Sequence, residues 1–121
     1  MPSTKSFPVT ISEDSVNNQW WARYSAGATI EDIREASGAP TDWVHLAFVV
    51  SKTADTVKLF VDGTQLGSTQ TGLGTFVGIV DEGYIGAADN LQNNAWDGAI
   101  AHVAVWDTPL NDSQIASLAS V

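Results

Sequence analysis

An antiparallel β-sandwich of jelly-roll type, closed by one short C-terminal helical turn, is the fold this sequence predicts. Three observations predict it. Residues 43–50 and 56–62 alternate their side chains with the two-residue period of a strand. Asp62-Gly63 ends the second run, and that pair suits the positive φ at both central positions of a type I′ hairpin turn. Ten glycines, four prolines and frequent Thr, Asn and Asp cut the 121 residues into short segments, the texture of strands joined by turns. A chain of this length forms one domain, residues 1–121, and buries roughly two-thirds of its unfolded surface.

Each element has its own signal. In residues 7–13, Phe7, Val9 and Ile11 share one face of a first strand, and Asp14 to Asn18 read as a turn. Gln19 to Ser25 form a second strand carrying Trp20-Trp21; neighbours on a strand face opposite ways, so one ring points to the core and the other away from it. Residues 28–36 allow a helix, because Ile30 and Ile33 are three apart and Thr29-x-x-Asp32 resembles a capping box. Strand or irregular structure is the favoured reading there. Ser37 to Thr41 form a loop.

In 43–50, Val44, Leu46, Phe48 and Val50 line one face and Trp43, His45, Ala47 and Val49 the other. Both faces are largely apolar, which suits a strand covered on both sides. In 56–62, Val57, Leu59 and Val61 are in phase, and Thr64 to Ser68 return after the turn. Residues 69–83 are a glycine-rich connection. Residues 84–88 are read as a strand, 89–95 as a polar loop and 96–106 as a long strand. Asn111 can cap a last helical turn, with Gln114 completing a capping box and Leu110 and Ile115 placed for a hydrophobic staple. Leu46, Phe48, Leu59, Val61, Val103 and Val105 are the expected core.

Five segments in the second half follow a recognisable order: Trp43-Val44-His45-Leu46-Ala47, Leu59-Phe60-Val61-Asp62-Gly63, Ile85-Gly86, Gly98-Ala99-Ile100 with its apolar run, and Leu110-Asn111-Asp112-Ser113-Gln114-Ile115. In that order they resemble the laminin G-like branch of the concanavalin A-like lectin/glucanase superfamily. The resemblance spans residues 42–119. It implies a concanavalin A-like β-sandwich that binds a ligand or partner, without saying which. It also places Trp43, Trp96 and Trp106 on core strands. The resembled domains are longer before Trp43, so this shorter chain is expected to leave sheet edges or apolar surface for a partner to cover.

Composition excludes several functions. Fourteen acidic against five basic residues give a net charge of −9, which opposes binding to nucleic acid or anionic membrane. Cysteine is absent, so disulfides, thiolate metal sites and a cysteine nucleophile are excluded. The start, Met1 to Phe7, has no apolar run of the signal-peptide kind, so synthesis in the cytoplasm is expected.

Candidate chemistry is sparse, and no enzymatic activity is expected. The superfamily's glycanases use paired carboxylates on one strand; Glu31-x-x-x-Glu35 is the nearest approach here and reads as a solvated acidic stretch. His45 and His102 lack the local spacing of a zinc site and read as packed sheet residues. No G-x-S-x-G elbow appears. The metal these loops would take is calcium, through hard oxygen donors such as Asp81, Asp89 and Asp97, although no D-x-D-x-D-G loop is present. At Gly98-Ala99-Ile100-Ala101-His102 the family's G-x-I-D-E carboxylates are missing, which weakens that reading; no cofactor is expected to be required. Trp20 and Trp21, with Asn93 and Asn94 of the polar loop, are the candidate partner or ligand contacts. The expected function is a structural or interaction protein that pairs with itself or a larger scaffold. A bacteriophage capsid decoration (cement) or tail-associated protein is the best fit, found on the virion. The alternative is a lectin-like carbohydrate-binding module, extracellular if cut from a longer protein.

Overall fold

The computed structural model describes residues 9–14, 19–26, 29–35, 42–77, 83–86, 96 and 98–120. Six strands and one helix form: β1 (Val9–Asp14), β2 (Gln19–Ala26), β3 (Thr29–Glu35), β4 (Leu46–Ser51), β5 (Thr56–Val61), β6 (Thr64–Thr71) and α1 (Asp112–Ala119). They make two three-stranded antiparallel sheets, ordered β1-β2-β3 and β4-β5-β6. Two such meanders packed face to face are consistent with a concanavalin A-like β-sandwich.

Alternation explains the first sheet. Along β2, Trp20, Ala22, Tyr24 and Ala26 are buried while Gln19, Trp21, Arg23 and Ser25 are half-buried. Ala22 sits in one cross-strand row between Ile11 and Ile33, so a small residue is flanked by two large ones. Residues 29–35 are a strand, and the helical alternative fails because Ile33 reaches the core only through pairing with Ala22.

In the second sheet the register pairs Leu46 with Val61, Phe48 with Leu59 and Val50 with Val57. Val57 and Leu59 are fully buried, and Leu46, Phe48 and Val61 pack against them half-buried. The two inner faces meet in one cluster that joins Trp20, Tyr24 and Ile33 to Val57, Leu59 and Leu73. Asp62 (φ 50) and Gly63 (φ 81) both take positive φ, as a type I′ turn requires. The strand starts at Leu46 rather than Trp43, and at its start the Asp62 N–H donates to the His45 carbonyl at 2.8 Å while the Asp62 carboxylate accepts from the His45 N–H at 2.9 Å.

The helix lies over the outer face of the second sheet. Lys58 Nζ meets Asp112 Oδ1 at 3.1 Å, and a Cβ added at Gly63 would stand 3.2 Å from Ala116 Cα. Phe60 and Ile115, both buried, belong to this outer layer. The capping box forms in full, with Asn111 and Gln114 bonding each other's backbone N–H at 2.9 Å.

A clamp joins the sheets at one end. The turn 52–55 grips residues 72–74: the Asp55 carboxylate accepts from the N–H groups of Gly72 (2.9 Å) and Leu73 (2.8 Å), and Lys52 Nζ donates to the carbonyls of Leu73 (3.1 Å) and Gly74 (2.6 Å). Gly74 then passes against β2 and β3 so closely that a Cβ there would stand 2.7 Å from the Ala26 carbonyl oxygen.

The sequence reading fails for the two strands expected before the helix. Residues 96 and 98–106 form no strand, and neither do residues 84–86 of the expected 84–88 strand. Val103 (53% exposed) and Val105 (92%) are on the surface instead of in the core, as are Trp43 and Trp106. The physical reason is pairing: among the described residues no neighbouring strand meets 98–106, and an apolar alternation becomes a strand only against a partner.

Candidate functional site

The outer face of the first sheet gathers the most concentrated chemistry among the described residues. Trp21 and Arg23 are two apart on β2 and therefore project together. Antiparallel pairing puts Arg34 directly opposite Trp21, and Asp32 directly opposite Arg23. Arg23 binds Asp32 through two hydrogen bonds, Nε to Oδ1 at 2.6 Å and Nη2 to Oδ2 at 2.8 Å. This fork geometry is the strong form of an arginine–carboxylate pair. Arg34 Nη2 lies 3.5 Å from the same carboxylate. Both guanidiniums pack on the Trp21 ring, at 4.7 Å (Arg23) and 5.1 Å (Arg34) from its centroid.

The electrostatics follow from the contacts. The hydrogen bonds from Arg23 chiefly hold the Asp32 carboxyl below its ordinary range, and the positive charges of Arg23 and Arg34 help. Desolvation opposes that shift, and the pull of the Trp21 N–H is the least of the contributions. The Trp21 Nε1 itself is shut off from water and makes no hydrogen bond of good geometry, so it offers no donor to a ligand. Two arginines and one aspartate thus crowd around Trp21, on a chain of net charge −9.

Trp20 and Trp21 divide as alternation demands. Trp20 is 4% exposed and stacks on Trp96, with centroids 6.0 Å apart and rings inclined by 20°. It belongs to the core and is not a surface contact. Trp21 is the member of the pair that faces outward. Asn93, Asn94, Asp81, Asp89 and Asp97 lie outside the described residues. Among the described residues no group of His, Asp or Glu is arranged to hold a metal ion, and no helix is long and apolar enough to cross a membrane. Glu31 and Glu35 share a strand but stand four residues, or roughly 13 Å, apart along the backbone, whereas glycosidase carboxylates act at roughly 5–9.5 Å.

Arg23, Asp32 and Arg34 escape a reading by sequence. The shared side of Trp21 and Arg23 is legible from the strand period alone. Their cross-strand partners are not, because they depend on the register in which β2 pairs with β3. Asp55 and Lys52 were equally hidden, since both look like ordinary turn residues.

Comparison with known proteins places the fold. The family model of the concanavalin A-like lectin/glucanases superfamily matches residues 3–116, and the chain belongs to that superfamily. A comparison with curated protein sequences yields no match. Among solved structures, the fold is similar to the crystal structure of an S-layer domain-containing protein from Clostridium thermocellum. The TM-score is 0.56 at 20% sequence identity, over 98% of this chain and 66% of that one. The chain thus spans a little under two-thirds of that protein fragment, and the likeness concerns the fold alone.

Proposed function

We propose that this concanavalin A-like domain is a non-catalytic interaction module that docks on a protein assembly through the outer face of its first sheet. The observation that carries the reading is Trp21 under two arginines, one of them forked to Asp32. Trp and Arg are the residue types that most often dominate binding energy at protein interfaces. The face is pre-ordered, so little side-chain freedom remains to be lost on docking. The guanidiniums of Arg23 and Arg34 beside the indole suit carboxylates on a partner surface.

A virion is the assembly that best fits a compact, acidic, cysteine-free domain, with the chain serving as a capsid decoration or tail-associated protein. It would be made in the cytoplasm and carried on the particle. The fold needs no cofactor in this reading. A second reading, a lectin-like module acting outside the cell, draws support from the flat indole beside fixed donors and a carboxylate acceptor. It fits less well, because a sugar stacking on Trp21 must compete with the guanidiniums for the ring.

The test compares wild type with Trp21→Ala. Mass spectrometry of particles from a host carrying the gene should find the chain, and Trp21→Ala should deplete it from them while the protein still folds. A monomer absent from particles, whose binding on a glycan array is lost in Trp21→Ala, would replace this reading with the lectin one.

A further inference from the structure

The segment 99–106 and the edge of β4 that pairs with no other described residue are complementary, and we propose that they join between two copies of this chain. Ile100, Val103, Val105 and Trp106 are all exposed, between 42% and 92%. Along an extended backbone they would line both faces, Val103 and Val105 on one side and Ile100 and Trp106 on the other. A strand apolar on both faces is the kind that belongs inside a sheet. Among the described residues, no backbone hydrogen bond engages 99–106.

The two sheets present four edges, and three are blunted. The β1 edge carries Glu13 and Asp14, and the β3 edge Glu31, Asp32 and Glu35. On β6, Gly67 takes φ 71 and the pairing with β5 shifts register between Val57 and Leu59. Charges and bulges of this kind prevent further strands from adding. The β4 edge, Leu46–Ser51, has no charge, proline or positive-φ residue, and among the described residues it pairs on one side only.

Charge selects the occupant. Copies with a net charge of −9 repel, so they meet most readily where neither surface is charged. Residues 98–106 contain no Asp, Glu, Lys or Arg, and neither do residues 43–51. Segment and edge sit on the same chain, so each copy can donate one and accept the other, as a two-fold dimer requires. His102, at φ 55, is the positive-φ position within 99–106 and must become extended as the strand forms. This surface is separate from the Trp21 face, and the inference stands independently of it.

Sedimentation velocity of the full chain over a concentration series tests the pairing, with Val103→Lys/Val105→Lys as the variant and Val77→Lys, at an exposed valine outside the segment, as the control. Wild type should self-associate. The double-lysine variant should weaken association by roughly tenfold or more, at an unchanged melting temperature. Val77→Lys should associate like wild type. Hydrogen exchange at the amides of 46–51 should slow as wild-type concentration rises, and should not do so in the double variant. A wild type that is monomeric at every concentration overturns the proposal, as does association indifferent to the two lysines. An early melt of the double-lysine variant, compared below the concentration at which wild type associates, also overturns it, since the segment would then be packing on its own sandwich.

Discussion

Replacing Trp20 and Trp21 separately by Ala should produce two different defects, although the residues are adjacent. Trp20 is 4% exposed, stacks on Trp96 and belongs to the cluster that joins the sheets. Emptying a buried Trp site costs about 3–5 kcal/mol. Unfolding entropy near the midpoint is about 2.1 cal/mol/K per residue, or about 0.25 kcal/mol/K for this chain. A loss of about 4 kcal/mol therefore lowers the melting temperature by about 16 °C. Trp21→Ala removes two cation–π contacts worth about 0.5–1 kcal/mol each and leaves the Arg23–Asp32 fork standing. Its melting temperature should fall by only about 4–8 °C. Thermal melts followed by circular dichroism measure both. Equal losses, or a larger loss for Trp21→Ala, would refute the assignment of the two rings to opposite faces.

Four further outcomes are expected. Gly74→Ala should destabilise by about 1–3 kcal/mol in urea titrations, because the new methyl meets backbone at 2.7 Å and the chain must shift to admit it. Asn111→Ala should cost about 1 kcal/mol by the same titration, through loss of the cap on α1. On the acid side, the forked hydrogen bonds from Arg23 lower the Asp32 carboxyl, and the N–H groups of Gly72 and then Leu73 lower Asp55. Both groups have folded values below their unfolded ones, so their contribution is full above about pH 4 and is lost as pH falls through the folded values; melts between pH 2 and 6 (an interval set by that range) should show the loss, smaller in Asp32→Asn. Chelation by EDTA should leave the melting temperature unchanged, and a drop of several degrees would reveal a structural calcium.

The legible part of the molecule is the part written in local rules. The hairpin of β5 and β6 follows from Asp62-Gly63, the helix start from Asn111 and Gln114, and the core face of β4 and β5 from a two-residue period. That one ring of Trp20 and Trp21 faces inward and the other outward follows from the same period, whereas which of them is buried does not. What stayed hidden depends on which segment meets which. Val103 and Val105 carry a strand's pattern, yet a pattern records only what a segment would bury if it found a neighbour. The meeting of Arg34 with Trp21, and of Asp32 with Arg23, is a matter of register. The grip of Asp55 on Gly72 and Leu73 crosses from one turn to a distant connection, and no spacing foretells it.

These two kinds of information carry different roles in the molecule. Stability rests on the inter-sheet cluster and on the clamp between residues 52–55 and 72–74, which holds the segment after β6 where Leu73 enters that cluster and Gly74 meets the first sheet. Both leave the outer face of the first sheet free of any duty in the core. Its residues can therefore be set by what they recognise, and a fork of Arg23 and Asp32 under an outward Trp21 costs the sandwich little. The same independence is why substitutions at Trp20 and Trp21 should have separable effects. In the proposed docking role, packing residues and contact residues lie on opposite sides of one strand, so the partner could change without the fold being rebuilt.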